Sequence, residues 1–182
     1  MADPHHQEVL DGFDRATVTL YRSGIGVAAV GLGVHAASLA TGAALPGRWL
    51  VLAGVAAIAA DLHLYDKRIR WVFGAAAWTG VVLGALPAPG GWLGELLGDA
   101  GLGFLYVTLS GVALKEQFCF RLPLMQAVPV LLASSLVPLV LGAALPAAAL
   151  SAGAALLLGT LALAKWRMPL HFDIGDRSRY QI

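Results

Sequence analysis

The sequence is poor in charged residues and in cysteine. Only 13% of its 182 residues are charged, against about 25% in a typical soluble domain, whereas 58% are hydrophobic and mean hydropathy is +0.75. A water-soluble fold of this length could not bury that much apolar surface. The single cysteine, Cys119, excludes an intrachain disulfide and a CxxC redox or zinc motif. The composition therefore predicts an integral membrane protein whose apolar helices face the lipid bilayer.

Several other signals are missing, and each absence narrows the function. The net charge is only +1 and the sequence has no dense basic patch, so a nucleic-acid partner is excluded. The sequence contains no GxxxxGK[ST], HExxH or GxSxG motif, which removes three common enzyme signatures. Residues 1–9 are polar and lack the basic and apolar regions of a cleaved signal peptide, so we expect the first apolar segment to remain in the mature protein.

The apolar residues fall into runs that match the length of membrane-spanning helices, which is about 20 residues. Six such runs cover residues 23–43, 49–64, 71–86, 92–114, 124–145 and 146–164. The fifth run contains Pro129 and Pro138, which are expected to kink it, and Pro146 marks its boundary with the sixth. The sequence therefore predicts an all-α, polytopic membrane helical bundle of about six transmembrane helices. Residues 17–165 form the transmembrane domain, flanked by a cytoplasmic N-terminal segment at 1–16 and a cytoplasmic tail at 166–182.

The distribution of Lys and Arg predicts the orientation of these helices. With six spans, 11 of the 12 basic residues lie in the two termini and in the second and fourth connections. Only Arg48 lies in the connections on the other side. Basic residues in short loops stay on the cytoplasmic side during insertion. Both termini are therefore predicted to be cytoplasmic, in a bacterial inner membrane.

Most of the reactive side chains fall on the predicted cytoplasmic side. This candidate functional cluster consists of Asp61, His63, Asp66, Lys67, Lys115, Glu116, Cys119, Arg121, His171, Asp173, Asp176 and Arg177. Its imidazole, carboxylate and thiolate groups suit a borderline or soft divalent metal. The candidate ligands are His63, Glu116, Cys119 and His171. Ordinary salt bridges and helix caps explain the same residues without a metal, so catalytic residues and cofactors stay unassigned.

Two side chains have individual alternatives. Lys115 and Arg121 could activate the thiol of Cys119 as a nucleophile or redox group, or Cys119 simply packs among its aromatic neighbours. His35 falls near the middle of the first apolar run, where an ionisable group is costly and commonly functional. It could bind haem or relay protons, or it could form a hydrogen bond with a neighbouring helix, for example with Thr108.

The polar strings at 61–71, 115–120 and 171–180 carry a family resemblance. In these strings and in its topology, the chain resembles a family of uncharacterised bacterial integral membrane proteins defined as a domain of unknown function. The resemblance implies a multi-pass location in the inner membrane, and it implies no activity.

Three functional hypotheses follow from these patterns. The leading hypothesis is a transporter-like or ligand-binding bundle with a polar cytoplasmic mouth, because a kinked fifth span and His35 suit a path or cavity. The second is a membrane-embedded enzyme or metal-handling protein that uses Cys119, His63, Glu116 and His171. The third is an accessory or assembly subunit of a membrane complex. Small-residue faces such as Gly80 and Gly84 allow a homo-oligomer or a membrane partner.

Overall fold

A computed structural model describes residues 9–62, 64–87 and 90–181, and it contains helices but no strand within these ranges. The helices are α1 (Gly12–Thr41), α2 (Gly47–Ala59), α3 (Lys67–Ala85), α4 (Trp92–Phe120), α5 (Ala127–Val140), α6 (Ala144–Trp166) and the short α7 (His171–Ile174). A single 3-10 turn follows at Arg177–Arg179. The all-helical prediction is confirmed.

Three of the helices are long and apolar enough to cross a membrane. These are α1 with 30 residues, α4 with 29 and α6 with 23. The apolar helices α2 and α5 have only 13 and 14 residues, and a helix of that size is about 20 Å long, less than the roughly 30 Å of a bilayer core. The structure therefore shows an all-helical bundle with three candidate spanning helices. The count of six spans and the cytoplasmic termini stay predictions.

The ends of the helices follow from local chemistry. Asp11 caps α1, because its side chain accepts a hydrogen bond from the backbone of Asp14 while Asp14 accepts one in return. Asp66 caps α3 by accepting hydrogen bonds from the backbone N–H groups of Arg68 and Ile69. The helix α1 thus begins well before residue 23, where the apolar run starts, and Arg22 lies inside the helix.

The prolines act differently from the sequence prediction. Pro129 lies in the first turn of α5, where its missing N–H leaves no helical hydrogen bond unmade, so only Pro138 is an interior proline. Gly142, with a φ of 72°, separates α5 from α6. Pro146 then lies in the first turn of α6, close to the predicted boundary.

Glycine allows α1 and α2 to pack closely. A β-carbon on Gly54 would lie 2.5 Å from the backbone N of Ala28, and one on Gly24 would lie 2.7 Å from the carbonyl oxygen of Gly54. The opposite face of α1 packs against α6, while α4 contacts α3 and α5. These contacts bring the N-terminal part of α1 and the C-terminal parts of α4 and α6 to one end of the bundle.

Candidate functional site

Charged side chains are buried where the chain folds back after α6. We call this end of the bundle, with residues 167–181, the tail end. Five charged residues from four helices meet there, and we call them the ionic chain: Arg22 of α1, Lys115 and Glu116 of α4, Lys165 of α6 and Asp173 of α7. Arg22, Glu116 and Lys165 are at most 1% exposed, and Asp173 is 5% exposed.

Glu116 receives donors from three directions. The hydroxyl of Tyr21 donates to Glu116 Oε1 at 2.8 Å, and the ammonium of Lys165 donates to Oε2 at 2.9 Å. Lys115 Nζ lies 3.2 Å from Oε1. Burying a carboxylate is unfavourable unless such cations and hydrogen-bond donors surround it.

Asp173 is held by two of the same helices that surround Glu116. Arg22 Nε donates to Asp173 Oδ2 at 2.7 Å, and Nη2 of Arg22 donates to the same oxygen. The ammonium of Lys165 forms an ion pair with the other oxygen, Oδ1. Lys165 therefore bridges the two carboxylates, and its ammonium also lies 4.1 Å from the centre of the Phe120 ring.

The resulting order of charges alternates from one end of the chain to the other. It reads Lys115, Glu116, Lys165, Asp173, Arg22, so that three cations enclose two carboxylates. Removing a charge from water costs several kcal/mol, roughly, unless an opposite charge and hydrogen bonds compensate it. Each carboxylate in this group has two cationic partners. One positive charge remains in excess, and the two ends of the chain, Lys115 and Arg22, each have one carboxylate partner among the described residues.

The tail covers this buried group and is fastened by its backbone. Arg22 Nη1 donates to the carbonyl of Met168 at 2.7 Å, and Nη2 donates to that of Pro169 at 2.9 Å. Further along, the backbone N–H of Asp176 donates to the Tyr65 hydroxyl at 3.0 Å, and the Gln181 N–H donates to the Tyr65 carbonyl. The tail is therefore docked on its own bundle, against both α1 and the α2–α3 connection.

Other contacts tie the outer part of the tail to the protein surface. The ring of Tyr180 packs edge to face against Tyr65, with centroids 4.9 Å apart. Arg70 donates to the carbonyl oxygens of Leu64 and Gln181, each at 2.9 Å. Arg177 forms an ion pair with Asp14 near the start of α1.

The structure places the predicted cluster residues in different environments. Lys115, Glu116 and Asp173 belong to the ionic chain. Asp66 caps α3, and Asp176 caps the turn at Arg177–Arg179. Arg177 pairs with Asp14 at the surface. Arg121 follows the last residue of α4 and has a φ of 53°. Asp61 and Lys67 flank the α2–α3 connection, and Lys67 donates its backbone N–H to Gln181. His63 lies outside the described residues.

The metal hypothesis finds no support in the described ranges. No group of three or more His, Cys, Asp and Glu side chains there is arranged to hold a metal ion. The carboxylate of Glu116 is already surrounded by Tyr21 and two lysines. Cys119 is a half-buried free thiol, and His171 packs edge to face against Phe172 at 4.8 Å.

Arg22, Lys165 and Tyr21 belong to this candidate site, and the sequence analysis did not select them. Arg22 and Lys165 were counted only as basic flanks of apolar runs. Arg22 pairs with Asp173, 151 residues away, and Lys165 pairs both with Glu116, 49 residues away, and with Asp173. The structure places Arg22 inside α1 and Lys165 in the last turn of α6.

The opposite end of the bundle contains His35 and a cavity. His35 is 5% exposed, and its Nε2 has no hydrogen-bond partner within the described part of the chain. The proposed partner Thr108 instead donates to the carbonyls of Phe73 and Phe104. Near that end, Arg48 pairs with Asp99 beside a cavity of about 460 Å³ between α2, α3 and α4.

Comparisons with known proteins agree with the membrane fold. Residues 95–182 match a family described as uncharacterized integral membrane proteins, DUF2301. An uncharacterized protein of Haemophilus influenzae is 37% identical over 182 residues, which is the full length of both chains. No solved structure matches the chain. The matched segment contains four of the five residues of the ionic chain. This protein belongs to the DUF2301 family of integral membrane proteins.

Proposed function

We propose that the protein is a transporter-like membrane bundle that binds a charged ligand at the ionic chain, with the tail closing this site in the observed conformation. One observation supports the proposal more than any other. Five charged side chains from four helices meet in the interior of the tail end, although a membrane helix bundle needs no such group to pack.

The energetic argument favours a functional role over a purely structural one. A buried ion pair stabilises a fold less than apolar side chains of similar volume often do, because desolvation offsets most of the attraction. Ionisable residues inside membrane helices commonly mark a substrate or ion path. Arg22 and Lys165 belong to α1 and α6, two of the three helices long and apolar enough to cross a membrane. The charged group is therefore better explained as a binding site than as a stabilising device.

The closing element is the tail and not a spanning helix. Asp173 and the carbonyls of Met168 and Pro169 reach the interior only because the chain turns back after α6. Release of these contacts would uncover Arg22 and Lys165 without separating the main helices. A site that opens on one side of the membrane in this way is one half of an alternating-access cycle.

The proposal includes an orientation. We place the tail end in the cytoplasm of a bacterium, with both termini inside and α2, α3 and α5 completing six crossings. The support is the positive-inside rule, because 11 of the 12 Lys and Arg residues lie on the termini and connections of that side. The shorter helices α2 and α5 span by local thinning of the bilayer or by their flanking residues.

Flux measurements in proteoliposomes test this function. Currents are recorded on a solid-supported membrane after concentration jumps of proton, sodium, chloride, phosphate, acetate and a small organic cation. We expect a protein-dependent current for at least one solute, and a severalfold smaller current for Glu116→Gln. Arg48→Gln, which changes a charge at the opposite end, is the matched control and should retain the current. A current equally reduced in both variants, or absent from folded wild-type protein for every solute, contradicts the proposal.

A further inference from the structure

The carboxylate of Asp173 has the contacts of a bound ligand. Nε and Nη2 of Arg22 donate hydrogen bonds to one oxygen, and the ammonium of Lys165 forms an ion pair with the other. These donors belong to two long helices, whereas Asp173 belongs to α7, a helix of four residues. A carboxylate on a short segment is thus clasped by guanidinium and ammonium groups of the main bundle, the combination that proteins use for carboxylate and phosphate recognition.

Without the carboxylate of Asp173, the ionic chain would carry an excess of positive charge. Arg22, Lys115 and Lys165 would then face Glu116 alone, so two positive charges would be uncompensated in the interior. Buried uncompensated charge is strongly unfavourable. Any anion that can reach the site would therefore be attracted to it.

The segment that carries Asp173 is short and bounded by turn residues. Pro169 precedes α7, and Gly175 follows it with a φ of 64°, a conformation that other residues rarely adopt. Its polar attachment to α1 is the set of contacts with Arg22 described above, while Phe172 stacks on Phe120 of α4 and Ile174 is buried. An external anion would form the same kinds of hydrogen bond and ion pair with Arg22 that the segment forms now.

A basic surface cavity lies beside this segment. It measures about 390 Å³ and is lined by Val9, Leu10, Arg15, Leu170 and His171. Arg15 and Arg22 are seven residues apart in α1, so they share one face of the helix. The imidazole Nε2 of His171 is buried there and has no hydrogen-bond partner within residues 9–62, 64–87 and 90–181. The cavity therefore places Arg15 beside Leu170 and His171, next to the Pro169 carbonyl that Arg22 contacts.

We infer that Arg22 and Lys165 form an oxyanion-binding site that Asp173 occupies as an internal ligand, and that an external carboxylate or phosphate group displaces the tail to bind there. This inference rests on the proposed function, because it names the chemical class of the ligand and the contact that closes the site. The oxyanion comes either from a free anion or from the headgroup of an anionic lipid.

Chemical rescue tests the inference on the full-length protein in neutral detergent. Asp173→Ala removes the internal carboxylate and leaves space for a small anion. We expect a lower melting temperature, which acetate or inorganic phosphate raises in a saturable manner relative to chloride at equal ionic strength. Asp176→Ala removes the same charge three residues away, outside the ionic chain, and should show no such anion dependence. Adding Arg22→Gln to Asp173→Ala should abolish the rescue.

A second experiment distinguishes a free anion from a lipid headgroup as the source of the oxyanion. The Asp173→Ala variant is placed in nanodiscs of phosphatidylcholine alone or with phosphatidic acid, without added salt of either anion. Stabilisation by phosphatidic acid identifies a lipid headgroup, whereas stabilisation only by soluble acetate or phosphate identifies a free anion. Either result supports the site. The absence of any effect in both arms, or an equal effect in Asp176→Ala, overturns it.

The rescue experiment and the flux experiment can fail separately. Anion rescue without any flux would leave the oxyanion site standing and remove the transporter proposal. Flux that depends on Glu116, with no anion rescue of Asp173→Ala, would leave the transporter proposal standing and remove the oxyanion site.

Discussion

The hydroxyl of Tyr21 donates a hydrogen bond to Glu116 Oε1 at 2.8 Å and so joins α1 to the end of α4 across 95 residues of sequence. Both side chains are completely buried. The contact connects a neutral donor to the ionic chain, and it fixes the position of the carboxylate between Lys115 and Lys165.

Removing this hydrogen bond should lower the free energy of unfolding. Tyr21→Phe keeps the ring and deletes the donor, and we expect a loss of about 1.5–3 kcal/mol, the range for a hydrogen bond to a charged group. Glu116→Gln should cost about 3–5 kcal/mol, because it leaves two buried lysines with one fewer counter-charge. Unfolding free energies in detergent measure both changes.

A double-mutant cycle separates the contact from general packing. The double variant Tyr21→Phe, Glu116→Gln should lose less than the sum of the two single losses, since both remove the same interaction. Glu95→Gln, at an exposed position near the start of α4, is the control and should leave stability unchanged. Strict additivity of the two buried changes would show that Tyr21 and Glu116 are not coupled.

The close approach of α1 and α2 predicts a contrast between two glycines. Gly54→Ala places a methyl group 2.5 Å from the backbone of Ala28, so α1 and α2 must separate and thermal stability should fall. Gly74→Ala, in α3, adds a methyl group with nothing within 4 Å. It should be neutral or slightly stabilising, because alanine has a higher helix propensity than glycine. Equal melting temperatures for the two variants would contradict the packing of α1 on α2.

The tail contact of Tyr180 should depend on pH. Burial raises the pKa of Tyr180 above its ordinary value, and the neighbouring Tyr65 and Asp61 raise it further. The hydroxyl also donates to the carbonyl of Ile174 at 2.9 Å. The folded state therefore favours the protonated phenol, and its stabilising contribution is complete below a pH of about 10 and is lost as the pH rises above that value.

Hydrogen exchange of the backbone amides of residues 174–181 measures the undocking of the tail. Protection of the tail should decline more steeply with alkaline pH in the wild type than in Tyr180→Phe, after correction for the intrinsic exchange rate. Identical pH profiles in the two proteins would show that the phenol does not titrate against the docking of the tail.

The proposed orientation predicts which loops a membrane-impermeant thiol reagent can reach. In a Cys119→Ser background, a cysteine replacing Ser178 should be labelled only after the membrane of right-side-out cells is opened. A cysteine replacing Leu45, which is exposed near Pro46-Gly47, should be labelled in intact cells. The reverse pattern would invert the orientation, and labelling of both in intact cells would contradict the six-span count.

The sequence was sufficient to predict the helices but not the charged group at the tail end. Continuous apolar runs and helix breakers such as Pro146 are local features, so the all-helical class and the separation of α5 from α6 follow from them. Helix ends were less accurate, because the capping of α1 by Asp11 extends the helix through Arg22. The pairing of Arg22 with Asp173 joins residues 151 positions apart, and no local pattern encodes it.

The same reason explains the outcome for the candidate cluster. The predicted cluster contained Lys115, Glu116 and Asp173 of the ionic chain, but the sequence could not separate them from capping residues such as Asp66. That distinction depends on burial, which is set by how α1, α4 and α6 pack. Arg22 and Lys165 resembled the basic residues that normally flank a span, and only their burial distinguishes them.

The most direct test of the account is a distance measurement across the tail end. Spin labels on cysteines replacing Ser178 in the tail and Gln126 before α5, in a Cys119→Ser background, report whether the tail is docked. We expect one narrow distance distribution in the wild type, and a broad or longer one when Asp173→Asn removes the carboxylate that Arg22 and Lys165 hold. An unchanged narrow distribution in the variant would contradict the claim that this carboxylate closes the site.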